Sequence, residues 1–264
     1  MNSEKKIQVL VSCMHQTDFS IIEKSNISTD AVIVNQCNCD SYDEVKKNNQ
    51  QIKMVSVKER GLSKSRNKAI ELADHQYCLL CDDDEVFENN YAEIILQGFD
   101  KNPEYDVLIF IVDCKNKKYK LKEKEIGYLS SLKVSSWQIA FKREKIIKYK
   151  IQFDENYGSG TERCFGEENI FLFDCLKNNL KIKFIPKKIG CVKQEKSEWF
   201  DGYNENYFLQ KGYVTRRLLG SFFGFAYCHY FVFKKNNIYK KETNFLNAYK
   251  NIMKGYKEFG KLDE

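Results

Sequence analysis

The stretch Tyr77-Cys78-Leu79-Leu80-Cys81-Asp82-Asp83-Asp84-Glu85 joins five residues suited to a buried strand to four consecutive carboxylates. Its first part, Tyr77–Cys81, is too continuously apolar for a strand with one wet face, so it predicts a sheet covered on both sides. The second part is a poor choice for a packed turn, because adjacent like charges repel. A divalent cation among them reverses that balance. Hard cations such as Mg²⁺ and Mn²⁺ take oxygen ligands and usually share one or two carboxylates with substrate phosphates. The location agrees, since open α/β sheets take ligands beyond the carboxyl ends of their strands. A solvated acidic loop is the plain alternative.

Ile7–Ser12, Ala31–Asn35, Ile52–Val57 and Asp106–Val112 are further apolar runs of strand length. Between them, Ser63–Asp74 has Ala69, Ile70 and Ala73 at helical spacing. Glu88–Asp100 does the same with Tyr91, Ile94, Ile95 and Phe99. Strands alternating with helices through short connections predict an α/β fold with a doubly wound, mainly parallel sheet. From Asp113 to Phe200 the pattern is irregular. It holds a Lys-rich, hairpin-like stretch (Lys115–Lys124), a strand at Trp137–Phe141 and a Gly-punctuated loop (Tyr157–Gly166). An apolar helix over Glu167–Leu176 and a strand at Ile182–Pro186 follow. From Asp201 the chain reads as helical and aromatic-rich. These shifts separate residues 1–112, residues 113–200 and a helical C-terminal extension, 201–264.

At 264 residues the chain can bury one large core, or one core with a small appendage. Its 42% hydrophobic and 30% charged residues are a globular composition and exclude general disorder. Lys plus Arg exceed Asp plus Glu by 43 to 37, a net charge of +6. That mild excess suits a phosphate-bearing ligand or an anionic membrane surface. No interleaved basic and aromatic signature is present, so nucleic acid is not an expected partner. Met1–Lys6 lacks the apolar run of a secretory signal, which predicts a cytosolic chain. Its ten cysteines are then expected to stay reduced, as small buried apolar residues. The close pairs Cys37/Cys39 and Cys78/Cys81 lack a partner pair at zinc-ribbon spacing. His15, His75 and His229 show no metal spacing and read as structural.

The helix before the decisive strand opens with Gly61-Leu62-Ser63-Lys64-Ser65-Arg66-Asn67. Downstream come Gly158-Ser159-Gly160-Thr161, Gly166-Glu167-Glu168-Asn169-Ile170-Phe171 and Ser197-Glu198-Trp199-Phe200. With the strand-end acids, and in this order, the set resembles glycosyltransferase family 2. Its last segment is similar to bacterial capsule and surface-polysaccharide members. The resemblance runs over residues 7 to 200 and implies a GT-A fold. It also implies inverting transfer of a sugar from a nucleotide diphosphate donor, most often UDP-linked, to a hydroxyl of a glycan or lipid-linked acceptor. Asp82 and Asp84 then form an Asp-x-Asp pair in one metal-and-nucleotide site. Asp84 is the direct ligand of Mn²⁺ or Mg²⁺, Asp82 lies nearer the ribose, and Asp83 sits between them. Glu168 falls at the catalytic-base position, with Glu167 beside it.

The chemistry of the residues agrees with that assignment. Displacement at an anomeric carbon builds positive charge on the sugar and negative charge on the departing diphosphate. A metal answers the second, and a carboxylate on the opposite face takes the proton of the incoming hydroxyl. Glu167 and Glu168 open a helix whose dipole favours ionised carboxylates, so Glu168 is expected to stay a base. Service to the dipole alone is the alternative. Arg66 and Lys64 can each pair with a diphosphate or with the aspartates. For Arg66, whose planar fork suits phosphate, a buried salt bridge holding Asp82–Asp84 is the equal alternative. Ser12–Asp18 and Asn35–Asp40 follow the first two strands and are expected to line the nucleotide pocket, with Ser12 and Asp40 as candidate contacts.

Two features depart from the family. Many members carry a histidine after the last core strand, and Cys191–Glu195 has none, which leaves the metal to Asp84, water and phosphates. Asn35, Asn38 and Asp40 share the place of one cleanly positioned Asp on the second strand. The segment Leu218–Phe233 is apolar and aromatic between Arg216-Arg217 and Lys234-Lys235. As a helix it spans about 24 Å, short of a hydrocarbon core of about 30 Å. Packing on the domain and peripheral docking at the inner membrane both stay open, and a span is not expected. Two other functions share this architecture. One is a sugar nucleotidyltransferase, whose Gly-rich phosphate loop would replace Cys13-Met14-His15-Gln16-Thr17. The other is a non-catalytic nucleotide-sugar-binding protein.

Overall fold

The computed structural model describes residues 6–114, 117–193 and 201–259. In chain order the first part holds β1 (Ile7–Met14), α1 (Ser20–Lys24), β2 (Asp30–Gln36), β3 (Ser41–Lys47) and β4 (Gln50–Val57). It continues with α2 (Leu62–Leu72), β5 (Tyr77–Asp82), β6 (Glu85–Phe87), α3 (Tyr91–Lys101) and β7 (Val107–Asp113). Then come β8 (Lys124–Glu125), α4 (Tyr128–Ser131), a one-turn 3₁₀ helix (Ser136–Gln138), β9 (Ile139–Lys142) and α5 (Arg143–Lys148). The last elements are α6 (Glu167–Lys177), β10 (Ile182–Val192), α7 (Glu205–Tyr239) and α8 (Phe245–Glu258).

Among the described residues the strands form one sheet in the order β3-β4-β2-β1-β5-β9-β7-β10-β6, with β8 added on β10. Neighbours β4, β2, β1 and β5 run parallel, as do β7 and β10. β9 enters antiparallel between β5 and β7, so residues 1–112 and 113–200 share a single sheet. Successive strand side chains point to opposite faces. Val9, Val11, Leu79 and Cys81 therefore enter one core, and Leu10, Cys78 and Leu80 the other. This two-sided burial is what the unbroken apolar runs require.

Several elements differ from expectation: the strand expected at Trp137–Phe141 begins only at Ile139, after the 3₁₀ turn, and Glu85–Phe87 adds the short β6. β3 pairs antiparallel with β4 at the outer edge, through Asn48 and Asn49, both at positive φ (50° and 64°). Its polar sequence carries no core signal because its side chains are exposed, with only Val45 partly buried. The hairpin expected over Lys115–Lys124 is not there: residues 117–123 carry no strand, and β8 begins only at Lys124.

The C-terminal extension is helical, as expected. α7 bends at Gly220, whose φ of 67° and ψ of −160° break the helix; such a left-handed φ favours glycine. The first arm packs Tyr213, Val214 and Leu218 against Tyr157, Ile170 and Phe173. The second arm and α8 share a core of Cys228, Val232, Tyr239, Ala248 and Ile252, which Phe208 of the first arm joins. Among the described residues no helix is long and apolar enough to cross a membrane.

Candidate active site

The opening turns of α2 act as a clasp. The Leu62 N–H donates to Ser159 O at 3.0 Å, and Ser63 Oγ donates to Tyr157 O at 2.6 Å. Asn67 exchanges two bonds with the Phe153 backbone, donating to its carbonyl and accepting from its N–H, at 2.9 and 2.8 Å. Gly158 sits at φ 106°, where a Cβ would lie 3.2–3.3 Å from Ser63 Oγ and the Glu167 side chain. The Gly-rich loop can thus lie against both α2 and the start of α6 only without a side chain there.

Arg66, 1% exposed, is the centre of this arrangement. Its Nη1 donates to Glu167 Oε1 at 2.8 Å, and its Nη2 to both Asp82 oxygens at 2.8 and 3.0 Å. The guanidinium also lies 5.3 Å from the Phe153 ring centroid. Ser136 Oγ donates to Asp82 Oδ2 at 3.3 Å. The strand-end acid and the helix-start acid therefore meet across one cation. Arg66 thus makes the buried salt bridge that was its alternative role. Lys64 pairs instead with Glu59 at 2.7 Å.

Glu168 follows Glu167 at the start of α6 and is partly exposed. Burial, and then the charge of Glu167, push its carboxyl up to about 8, against the opposing pull of Arg66 and Lys117. Here a helix dipole equivalent to about half a charge acts against desolvation and a neighbouring acid, both of which favour the protonated form. Two lysines act on this group. Lys117 is pulled down to about 8 by burial, with Glu168 working the other way. Its Nζ donates to Ser135 Oγ at 2.7 Å and Gln138 Oε1 at 2.5 Å. Lys211, from α7, is lowered by burial and likewise opposed by Glu168. Neither lysine was singled out from the sequence. Lys117 belongs to the Lys-rich stretch, whereas nothing local marks Lys211.

The remaining candidates divide. β1 runs two residues past Ser12, which is buried in the strand beside Asp82 and accepts from Ser65 Oγ at 2.9 Å. It braces α2 rather than lying on an open loop. Asp40 is exposed and accepts the Lys58 N–H at 2.9 Å. Asn35 is buried and pins both backbone groups of Gln16 at 2.9 Å. Asp83 and Asp84 form the turn between β5 and β6. The Asp84 carbonyl accepts the Lys193 N–H at 2.8 Å. Glu85 is buried and accepts the Asp82 N–H at 3.0 Å; burial, then the charge of Asp82, raise its carboxyl well above the usual range.

Among the described residues no three His, Cys, Asp or Glu side chains form a ready metal cage. Asp82 bonds Arg66 and Ser136, and Asp84 is a partly exposed carboxylate, a hard oxygen donor, at the sheet rim. This donor set fits a Mg²⁺- or Mn²⁺-type ion that completes its shell with water and a diphosphate. All ten cysteines are free. Contrary to expectation Cys39 is exposed, with its sulfur 3.5 Å from that of Cys37. His75 bonds Asp74 and Asp30, and His229 bonds Phe225 O and Tyr249, as structural residues do. Ser197–Phe200 lies outside the described residues.

The sequence model described as Glycosyl transferase family 2 matches residues 19–165. Similar solved structures include S. aureus TarS 1-349, at 15% identity and TM-score 0.62, covering 96% of this chain and 81% of that one. The same fragment in complex with UDP-GlcNAc gives 16% and 0.63 with 95% and 81% covered, and in complex with UDP 16% and 0.59 with 96% and 81%. At such identities the likeness is one of fold. Comparison with curated protein sequences gives no match.

Proposed function

Because the chain belongs to glycosyl transferase family 2, we propose that it moves a sugar, with inversion, from a UDP-linked donor to a hydroxyl acceptor. It is a glycosyltransferase with a GT-A-like fold. The observation that carries the finer reading is the Arg66 bridge. It joins Asp82, which we take to face the donor, and Glu167, next to the proposed base, through one buried guanidinium. The TarS fragment solved with UDP and with UDP-GlcNAc supports a uridine nucleotide donor.

In this reading Asp82, braced by Arg66, faces the ribose, with Asp83 beside it. Asp84 holds Mn²⁺ or Mg²⁺, which supplies neutralising charge to the departing diphosphate. Glu168 takes the proton of the acceptor hydroxyl as its oxygen bonds to the anomeric carbon and the bond to the diphosphate breaks on the opposite face. A base whose pKa lies near the working pH is well matched to that transfer.

The setting that the sequence resemblance suggests is surface-polysaccharide synthesis from the cytosolic side, on a glycan or lipid-linked acceptor. Peripheral membrane contact is supported by the second arm of α7. Phe222, Phe223 and Phe233 are 79%, 70% and 65% exposed there, and Lys234 and Lys235 follow Phe233. Exposed rings flanked by ammonium groups suit an anionic lipid surface.

Thermal-shift measurements with UDP, GDP, CMP and dTDP, each with and without Mn²⁺, test the donor reading. UDP is expected to stabilise the chain only with metal, and Asp84→Ala to abolish the effect. Equal responses to all four nucleotides, or none, count against it.

A further inference from the structure

The Lys-rich stretch does something other than form a hairpin. Lys117, Lys118, Lys120, Lys122 and Lys124, with Lys133, line a groove of about 320 Å³. Its apolar floor includes Ile126, Val134 and Phe184, and no acidic side chain lines it. Glu123, from the same stretch, is drawn off to Lys183 at 2.7 Å. Among the described residues no ion pair joins Lys118, Lys120, Lys122, Lys124 or Lys133. Uncompensated ammonium groups repel one another, and such a cleft concentrates anions.

The groove leads to the chemistry. Lys117 lies at its inner end, bonded to the neutral Ser135 and Gln138 and close enough to Glu168 for their charges to act on each other. Ser136, next along, reaches Asp82. A chain in this groove would thus run towards the proposed base. The cations are all lysines. Separate point charges suit anionic groups spaced along a chain, whereas recognition of one planar group favours the fork of arginine.

We propose that this groove binds the acceptor, and that the acceptor is an anionic polyol or sugar chain with phosphate or carboxylate groups at intervals. The acceptor role rests on the glycosyltransferase reading; the preference for an anionic chain rests on the groove alone. Nucleic acid fits less well. Single strands need exposed rings for stacking, and the aromatic rings of the groove, Tyr119 and Phe184, lie near-parallel to each other at 6.3 Å. The Tyr119 hydroxyl is further tied to Val112 O at 2.7 Å.

Calorimetry on the full chain with four probes tests this: a five-unit glycerol phosphate chain, pentagalacturonate, maltopentaose and pentathymidylate. At least one of the first two is expected to bind about tenfold tighter than maltopentaose and tighter than the oligonucleotide, identifying which anion the groove takes. The variant K120Q/K122Q/K124Q is expected to lose about tenfold of that affinity while UDP binding stays unchanged. The proposal is overturned if neither anionic chain outbinds maltopentaose, if the triple variant binds as the parent does, or if pentathymidylate binds as tightly. Loss of the UDP response with the anionic chain still bound would instead remove the glycosyltransferase reading and leave the groove standing.

Discussion

Arg66 stands 16 residues before Asp82 and 101 before Glu167, yet it holds both. A buried cation with two carboxylates is costly to dismantle from one side, because the stranded charges cannot regain water. Arg66→Met is therefore expected to lower stability by about 3–5 kcal/mol in urea unfolding. Arg66→Lys should recover only part of it, since one ammonium cannot reproduce the fork. A loss below about 1 kcal/mol in Arg66→Met would mean that the carboxylates are compensated by other groups. Glu168 sets a second prediction. It faces Glu167 on its own helix, Arg66 from α2, Lys117 from the Lys-rich stretch and Lys211 from α7. Its carboxyl rises from 4.5 to about 8 in the folded chain. The folded state thus keeps a proton that the unfolded state releases, and this stabilisation is full below 4.5 and fades as pH climbs to about 8. Transfer runs the other way: its rate is expected to rise with pH towards that value, and Glu168→Gln to abolish turnover while UDP still binds. Turnover in that variant would remove Glu168 from its role. Glu167 and Glu168 were legible because Gly166 and a helix start precede and follow them. The charge state of Glu168 was not, since it depends on burial and on lysines brought in by distant segments.

At the scale of elements, the strands with both faces covered were plain in the sequence, because an unbroken apolar run has few other uses. β3 escaped because an edge strand with its side chains in water carries no hydrophobic period. Its one local clue was the Asn48-Asn49 turn. The second arm of α7 was legible as an amphipathic question, and its exposed rings answer part of it. Phe222→Ser with Phe223→Ser is expected to abolish flotation with phosphatidylglycerol vesicles while leaving Tm essentially unchanged, since neither ring is buried in the core. Undiminished flotation would leave these rings as ordinary surface.

For the whole molecule, the C-terminal extension is fastened to the Gly-rich loop and the start of α6 as well as being an added helical pair. Gln210 Nε2 donates to Glu162 O at 2.7 Å, Arg217 Nε to Asp154 Oδ2 at 2.9 Å, and Arg163 Nη2 to Phe259 O at 3.3 Å. Removing residues 201–264 would also bare Tyr157, Ile170 and Phe173, each large buried side chain worth about 1.5–3 kcal/mol. A chain ending at residue 200 is expected to melt well below the full chain and without a sharp transition. An equally sharp and high transition would make the extension dispensable to the fold. The helices themselves could be read from composition. Their hold on the Gly-rich loop could not, because it arises only when α7 lies over that loop. The two borders of the sheet carry a last consequence. One is β3, bearing Asp43, Glu44, Lys46 and Lys47 outward, and the other is the three-residue β6. Another copy of the chain could lengthen the ladder at β3 only by taking those charges out of water, which is how natural sheets refuse strand-to-strand stacking. Growth of the sheet into ribbons through β3 is thus disfavoured.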